Sequence, residues 1–177
     1  MPTDILNSFK KDPPWAGVEE SALAPIPTTT VGVTVTPLTG HADHRGHLTE
    51  LMTLRDNDHI LPIVHVYQVH CTPGSIRGWV YHERQMDRLA FTQGDFSLVL
   101  YDLRKESPTY GGVERLDVGL NNPCRVAIPA FVAHLLRNSG EETSSFVNMP
   151  TQFYDPANPD KCRLPYPDSL IPFTFDD

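Results

Sequence analysis

The chain has few cysteines and no long apolar run. Its 177 residues include three cysteines, Cys71, Cys124 and Cys162, and no Cys-x-x-Cys pair. An odd number of widely spaced cysteines is typical of reduced thiols, so we expect a cytoplasmic protein without disulfides. No apolar stretch approaches the roughly 20 residues that cross a bilayer, and no basic start followed by an apolar run predicts a signal peptide.

Basic residues are also scarce. Lysine and arginine number 14 against 22 aspartates and glutamates, which gives a net charge of −8. Broad binding of nucleic acid or of an anionic membrane needs a basic face, so we expect neither as a partner. A local arginine or lysine pocket for a phosphorylated small molecule remains compatible with this balance.

Proline and glycine, by contrast, are abundant, with 17 and 11 residues. Together with apolar segments such as 31–38 and 60–71, they predict about nine or ten short strands and little helix. The segment 96–102 is almost entirely apolar, so we expect a strand that is buried on both faces. We therefore predict an all-β, double-sheet jelly roll over residues 31–177, with an irregular N-terminal arm over residues 1–30 and a proline-rich C-terminal tail.

Histidine is enriched too, with eight residues. His82 ends a predicted strand and fits the second histidine of the general cupin pattern between Gly74 and Gly94. Asp87 stands at the acidic position of this pattern, whereas Val80 stands where its first histidine would be. This spacing of His82 and Asp87 between two glycines favours a jelly roll of the cupin type.

A second cupin pattern points to a possible metal site. It is met by Pro129, His134 and Asn138, with Phe131 in place of a glycine. A metal set would comprise His82 and His134 with Asp87 or Gln85, since two histidines and a carboxylate can hold a transition metal. A metal-dependent oxygenase or lyase is therefore one alternative, and histidines with a purely structural role are another.

Residues 31–173 carry several motifs of one family, in the family's order. They are Asp43–Glu50 (DHRGHLTE), Ile76–Trp79 (IRGW), Asp102–Gly111 (DLRKESPTYG), Ile128–His134 (IPAFVAH) and Phe153–Pro156 (FYDP). On these pieces the chain resembles the dTDP-4-dehydrorhamnose 3,5-epimerase family of RmlC-like cupins. The resemblance implies a homodimer that binds a nucleotide-linked 4-keto-6-deoxy sugar in its barrel, without a cofactor.

The resemblance also indicates which residues contact the substrate. They are Arg45, Glu50, Gln68, Arg77, Trp79, His134 and Asn148. Guanidinium groups suit a diphosphate, because their planar and permanently charged donors bind phosphate oxygens in pairs. Trp79 either stacks on a base or sugar or packs in the core.

The chain departs from the family at the groups that move protons. Val80 occupies the position of the family's base histidine, and Asn148 that of its general-acid tyrosine. Because residues two apart share a face of a strand, His82 can reach the pocket beside Val80. We expect His82 to replace the base.

The expected partner of His82 in catalysis is His70, Tyr67 or His134. Three hypotheses follow for the whole protein. The first is an isomerase or epimerase of a nucleotide-linked 4-keto sugar, and the second is a non-catalytic protein that kept the sugar-nucleotide pocket. The third is the metal-dependent cupin enzyme that uses His82 and His134.

Overall fold

The structure is a computed structural model that describes residues 10–11, 26–53 and 62–175. Its described part contains twelve strands: β1 (Thr34–Pro37), β2 (Gly40–Asp43), β3 (Gly46–Thr49), β4 (Tyr67–Cys71), β5 (Ile76–His82), β6 (Asp87–Gln93), β7 (Asp95–Asp102), β8 (Val113–Gly119), β9 (Cys124–Ile128), β10 (Val132–Asn138), β11 (Ser144–Asn148) and β12 (Lys161–Arg163). Most of the predicted arm lies outside the described residues. The division into an arm and one domain therefore stays a prediction.

Two five-stranded sheets form the body of the molecule. One has the order β1-β9-β6-β11-β4 and the other the order β12-β5-β10-β7-β8, and every pairing is antiparallel. Strands β2 and β3 form a separate hairpin. The predicted all-β, double-sheet jelly roll is confirmed. Within the described residues, no helix is long and apolar enough to span a membrane.

The core lies between the two sheets, where three phenylalanines meet. Phe91 of β6, Phe96 of β7 and Phe146 of β11 have ring centroids 5.4 to 5.8 Å apart, in tilted and edge-on arrangements. Such pairs stabilise a core beyond the apolar area that they bury. β7 is buried along nearly its whole length, as its apolar sequence predicts.

The C-terminal tail adds a strand that the sequence did not predict. Lys161–Arg163 pairs with β5, and the backbone amide of Leu164 donates to the carbonyl of Trp79 at 3.0 Å. Three residues are too few to show an alternating pattern, so the prolines around them predict only an irregular tail. Beyond β12, Phe173 packs edge-on against the Trp79 ring and covers the outer face of this sheet.

A turn after β7 is organised around one buried carboxylate. Asp102 accepts hydrogen bonds from the backbone and side chain of Arg104 and from the hydroxyls of Ser107 and Thr109, at 2.6 to 3.0 Å. The same turn holds the start of the domain, because Thr109 Oγ1 accepts from the amide of Val31 at 3.2 Å and Arg104 donates to the carbonyl of Val31. The DLRKESPTYG motif is therefore structural here.

We predict that Asp102→Ala lowers the free energy of unfolding by about 2 kcal/mol, since it leaves several partly buried donors without acceptors. Urea denaturation followed by circular dichroism measures this loss. Glu106→Ala, at an exposed position of the same turn, serves as the matched control and leaves the transition in place. Equal midpoints for the two variants would contradict the structural role of Asp102.

Candidate functional site

A bulge in β5 decides which of its side chains face the interior. Val80 pairs with His134, but Arg77 pairs with Leu136, so the two residues Gly78 and Trp79 oppose one residue of β10. Because a bulge shifts the alternation of side chains, Arg77 lies on the same sheet face as Val80. Trp79 lies on the outer face, in the cluster that the tail covers.

The carboxylate of Asp87, the first residue of β6, lies at the centre of the site. Its Oδ1 accepts hydrogen bonds from the side-chain amides of Gln85 at 2.6 Å and Asn148 at 2.9 Å. Its Oδ2 lies 3.3 Å from Nε2 of His82 and 3.5 Å from Nε2 of His134. One buried carboxylate thus connects β5, β6, β10 and β11 at the same end of the jelly roll.

The protonation of this group follows from its surroundings. Burial alone would raise the pKa of Asp87, but the hydrogen bond to His82 and the charges of both histidines hold this pKa well below its usual range. Burial lowers the pKa of His134, and the charge of Asp87 opposes that effect only in part. Asp87 is therefore an anion at neutral pH beside a His134 that favours its neutral form.

Tyr67, on β4, reaches the same group from the opposite sheet. Asn148 pairs with Tyr67 in the β4–β11 ladder, and its amide donates to the phenolic oxygen at 2.8 Å. Burial and the nearby charge of Asp87 raise the pKa of Tyr67. Tyr67 consequently keeps its proton at neutral pH and can act as a donor.

His82 also lies close to a second carboxylate. Its Nδ1 is 3.7 Å from Oδ2 of Asp160, in the loop just before β12. Asp160 is fixed there by the backbone amides of Arg84 and Gln85 and by Nε of Arg84, at 2.8 to 3.2 Å. The imidazole therefore has a carboxylate beside each ring nitrogen.

A cavity of about 830 Å³ opens onto this group. Its walls include Tyr67, His82, Gln85, Asp160 and Lys161. Its volume suits a small organic ligand rather than a water molecule or ion. Two exposed aromatic rings, Phe153 and Tyr154, lie at its rim, where such rings can stack on a ligand.

Comparison with known proteins identifies the family. Residues 27–175 match the dTDP-4-dehydrorhamnose 3,5-epimerase family. The chain belongs to this family. The predicted resemblance and the RmlC-like cupin fold are thereby confirmed.

Two relatives and one solved structure illustrate the match. The spore coat polysaccharide biosynthesis protein SpsL of Bacillus subtilis is 37% identical over 147 residues, covering 81% of this chain and 95% of SpsL. A probable low-salt glycan biosynthesis epimerase of Haloferax volcanii is 33% identical over 135 residues, covering 76% and 86% of the two chains. A dTDP sugar isomerase from Desulfovibrio desulfuricans has a similar fold, with a TM-score of 0.76 at 22% identity, over 82% of this chain and 91% of that one.

Four residues expected from the sequence meet in one place. His82, Tyr67, His134 and Asn148 all surround Asp87. Their spacing along strands predicted that some would face inward, but only the folded sheets show that β4, β5, β10 and β11 bring them to the same end. Their roles in binding and catalysis remain predictions.

Other expected residues lie elsewhere on the chain. Arg45 is exposed on the β2–β3 hairpin and pairs with Asp43, and Glu50 is exposed just after that hairpin. Gln68 and His70 share the exposed face of β4, where the Gln68 amide donates to Ser145 Oγ at 3.0 Å. None of these four expected residues lines the 830 Å³ cavity.

Arg77 and Trp79 are separated from the cavity as well. Arg77 donates to Cys71 Sγ and to the carbonyl of His70, both at 3.2 Å. Trp79 is 2% exposed and makes a T-shaped contact with Phe173 at 6.3 Å. Of the two interpretations that its sequence left open, the structure places Trp79 in a packed cluster.

The cupin metal set also meets, but not as a metal site. Gln85 donates to Asp87, and its amide nitrogen lies 3.4 Å from Nε2 of His82. Across the part of the chain that the structure describes, no group of three or more histidine, cysteine, aspartate or glutamate side chains is arranged to hold a metal ion.

Asp160 and Lys161 were missed as site residues. They belong to the proline-rich tail, where no periodic pattern marks a strand. The only available signal was the acidic and basic pair itself, which is also typical of an exposed loop.

We predict that His134→Asn flattens the pH dependence of stability between about pH 7 and pH 5. Folding lowers the pKa of His134, so the unfolded chain binds a proton here more readily. The free energy of unfolding therefore falls as the pH drops below about 6.5, at up to about 1.4 kcal/mol per pH unit for one proton. Urea denaturation at three pH values measures this slope.

The control for this experiment is His44→Asn, at an exposed position in the β2–β3 turn. It keeps the wild-type slope. A His134→Asn protein with the same slope as the wild type would show that this histidine binds its proton equally well in both states.

Proposed function

We propose that the protein is an epimerase of a nucleotide-linked 4-keto sugar, and that His82 is its base. The observation that carries the proposal is the position of His82 at the wall of a cavity, next to the carboxylate of Asp87, where Tyr67 from the other sheet also lines the wall and keeps its proton. A base and a proton donor on opposite walls are what inversion at a carbon beside a ketone requires. Membership of the epimerase family supports this reaction class.

The first step removes a proton. With its Nε2–H directed at Asp87, His82 keeps a lone pair on Nδ1, a buried nitrogen that has no hydrogen-bond partner among the described residues and that a bound sugar must reach. This nitrogen takes the proton from the carbon beside the ketone, the electrons of the C–H bond form a C=C bond, and the ketone becomes an enolate. The charge of Asp87 stabilises the resulting imidazolium.

The second step returns a proton to the other face. Tyr67 approaches from the sheet opposite β5 and donates its phenolic proton to the carbon, which restores the ketone with inverted configuration. The phenolate regains its proton from solvent, and the imidazolium loses its proton in the same way. The amide of Asn148 holds the phenolic oxygen in place at 2.8 Å throughout.

The proposal includes a cytoplasmic homodimer. The three cysteines are free thiols, which suits a reducing compartment. Arg45, Gln68 and His70 are exposed on a single chain, and the surface of a second chain would enclose them. We infer that they contribute to binding there, with a diphosphate as the group that suits Arg45. Sedimentation measures the oligomeric state.

The first functional prediction concerns His82→Asn. Loss of the base lowers kcat about 10²- to 10⁴-fold. The measurement uses a dTDP-linked 4-keto-6-deoxy sugar in deuterium oxide, where NMR follows deuterium entering the carbons beside the ketone. His44→Asn, an exposed histidine, is the control and exchanges at the wild-type rate.

Two outcomes would contradict this assignment. Unchanged exchange in His82→Asn would remove His82 as the base. Binding of the sugar nucleotide by the wild-type protein without any exchange would support the non-catalytic hypothesis instead.

The second functional prediction separates the two steps. Tyr67→Phe keeps the base but lacks the proton donor on the opposite wall, so deuterium still enters the substrate while the inverted product forms at least about 100-fold more slowly. Comparing the NMR rates of exchange and of inversion checks this. A parallel loss of both rates would show that Tyr67 does not act in the second step alone.

A further inference from the structure

Lys161 lies directly beside the proposed base. In the β12–β5 ladder, Lys161 is the Cα partner of His82. Side chains of directly opposed residues project from the same face of a sheet, with Cβ atoms about 4.5 to 5.5 Å apart. Both side chains line the 830 Å³ cavity. An ammonium group and an imidazole therefore border the same cavity from neighbouring strands.

The ammonium group of Lys161 has no counter-ion among the described residues. Asp160 is adjacent in sequence, but its carboxylate is held by Arg84 and by two backbone amides. Asp87 is held by Gln85, Asn148 and the two histidines. The cavity thus contains a cation whose hydrogen-bond donors are not used by the protein.

The surroundings of Lys161 also displace part of its hydration. The residue keeps contact with solvent, yet burial of its side chain lowers the pKa of Lys161, with the charge of Asp87 opposing that effect and Arg163 and Arg77 adding to it. A partly desolvated ammonium group interacts more strongly with an oxygen of a bound ligand than it would in water.

We propose that Lys161 is a catalytic residue that stabilises the enolate oxygen of the sugar. The proposal rests on the proposed function. When His82 removes the proton from the carbon beside the ketone, negative charge develops on an oxygen one carbon further on. A donor for that oxygen must lie next to the base, and the His82–Lys161 pair meets this requirement.

The proton balance is simple. The electrons of the broken C–H bond form the C=C bond, and the carbonyl π electrons move to oxygen. An N–H of Lys161 donates a hydrogen bond to this oxygen and keeps its proton. When the carbon is protonated again, the electrons return and the neutral ketone forms. A donor that is already in position before the reaction stabilises such charge, and its removal typically lowers kcat about 10²- to 10³-fold.

The test is Lys161→Met, which keeps a long unbranched side chain without the charge. We expect kcat for deuterium exchange to fall about 10²- to 10³-fold. Affinity for dTDP alone, measured by calorimetry, should change less than about threefold, because dTDP has no ketone. Lys161→Arg should recover part of the rate. Lys105→Met is the control, since it removes an exposed lysine from the turn after β7, away from the cavity lining, and it should leave kcat near the wild-type value.

Three outcomes would overturn the proposal. Unchanged kcat in Lys161→Met, with His82→Asn inactive, would leave the epimerase in place and remove Lys161 from its chemistry. A tenfold or larger loss of dTDP affinity at unchanged kcat would assign Lys161 to the diphosphate. Absence of exchange in the wild-type protein would reject the epimerase function and this proposal together.

Discussion

The candidate site depends on one buried anion, the carboxylate of Asp87. Removing a carboxylate from water costs several kcal/mol, so it is stable only where donors replace its hydration. Two amide groups and two imidazoles supply those donors. Each comes from a different segment, and their requirement to meet at one point fixes the relative positions of β5, β6, β10 and β11.

This arrangement also separates the roles of similar residues. His82 and His134 contact the same carboxylate oxygen, and their rings lie 6.3 Å apart, but only His82 lines the cavity and lies beside the second carboxylate of Asp160. His82 thus borders the cavity, whereas His134 contacts the carboxylate without lining the cavity. Two residues of the same type therefore have different surroundings in the fold.

Much of the fold could be predicted from local patterns. The apolar segment 96–102 predicted a strand buried on both faces, and alternation predicted that Val80 and His82 would share a face. Ordered motifs indicated the family over most of the chain. These signals are short-range or cover many residues, so they do not depend on knowing which strands become neighbours.

The site was predictable only in part, because its remaining features depend on long-range pairing. The bulge at Gly78 and Trp79 exists only against β10, and it turns Trp79 toward the tail. Strand β12 has three residues and no pattern of its own, so neither Asp160 nor Lys161 could be placed beside His82. Arg45 matches the family motif but lies away from the cavity. A motif match identifies a residue without giving its distance from the site.

The pairing of β12 with β5 has a consequence for the stability of the cavity. Arg84 and Asp160, which contact each other next to this ladder, are 76 residues apart in the sequence, and the ladder itself has only three residue pairs. A ladder this short can open locally while the longer strands of the sheet stay paired. Partial detachment would leave both sheets intact but remove one wall of the cavity, so the capacity to bind a ligand would vanish before the β-structure does.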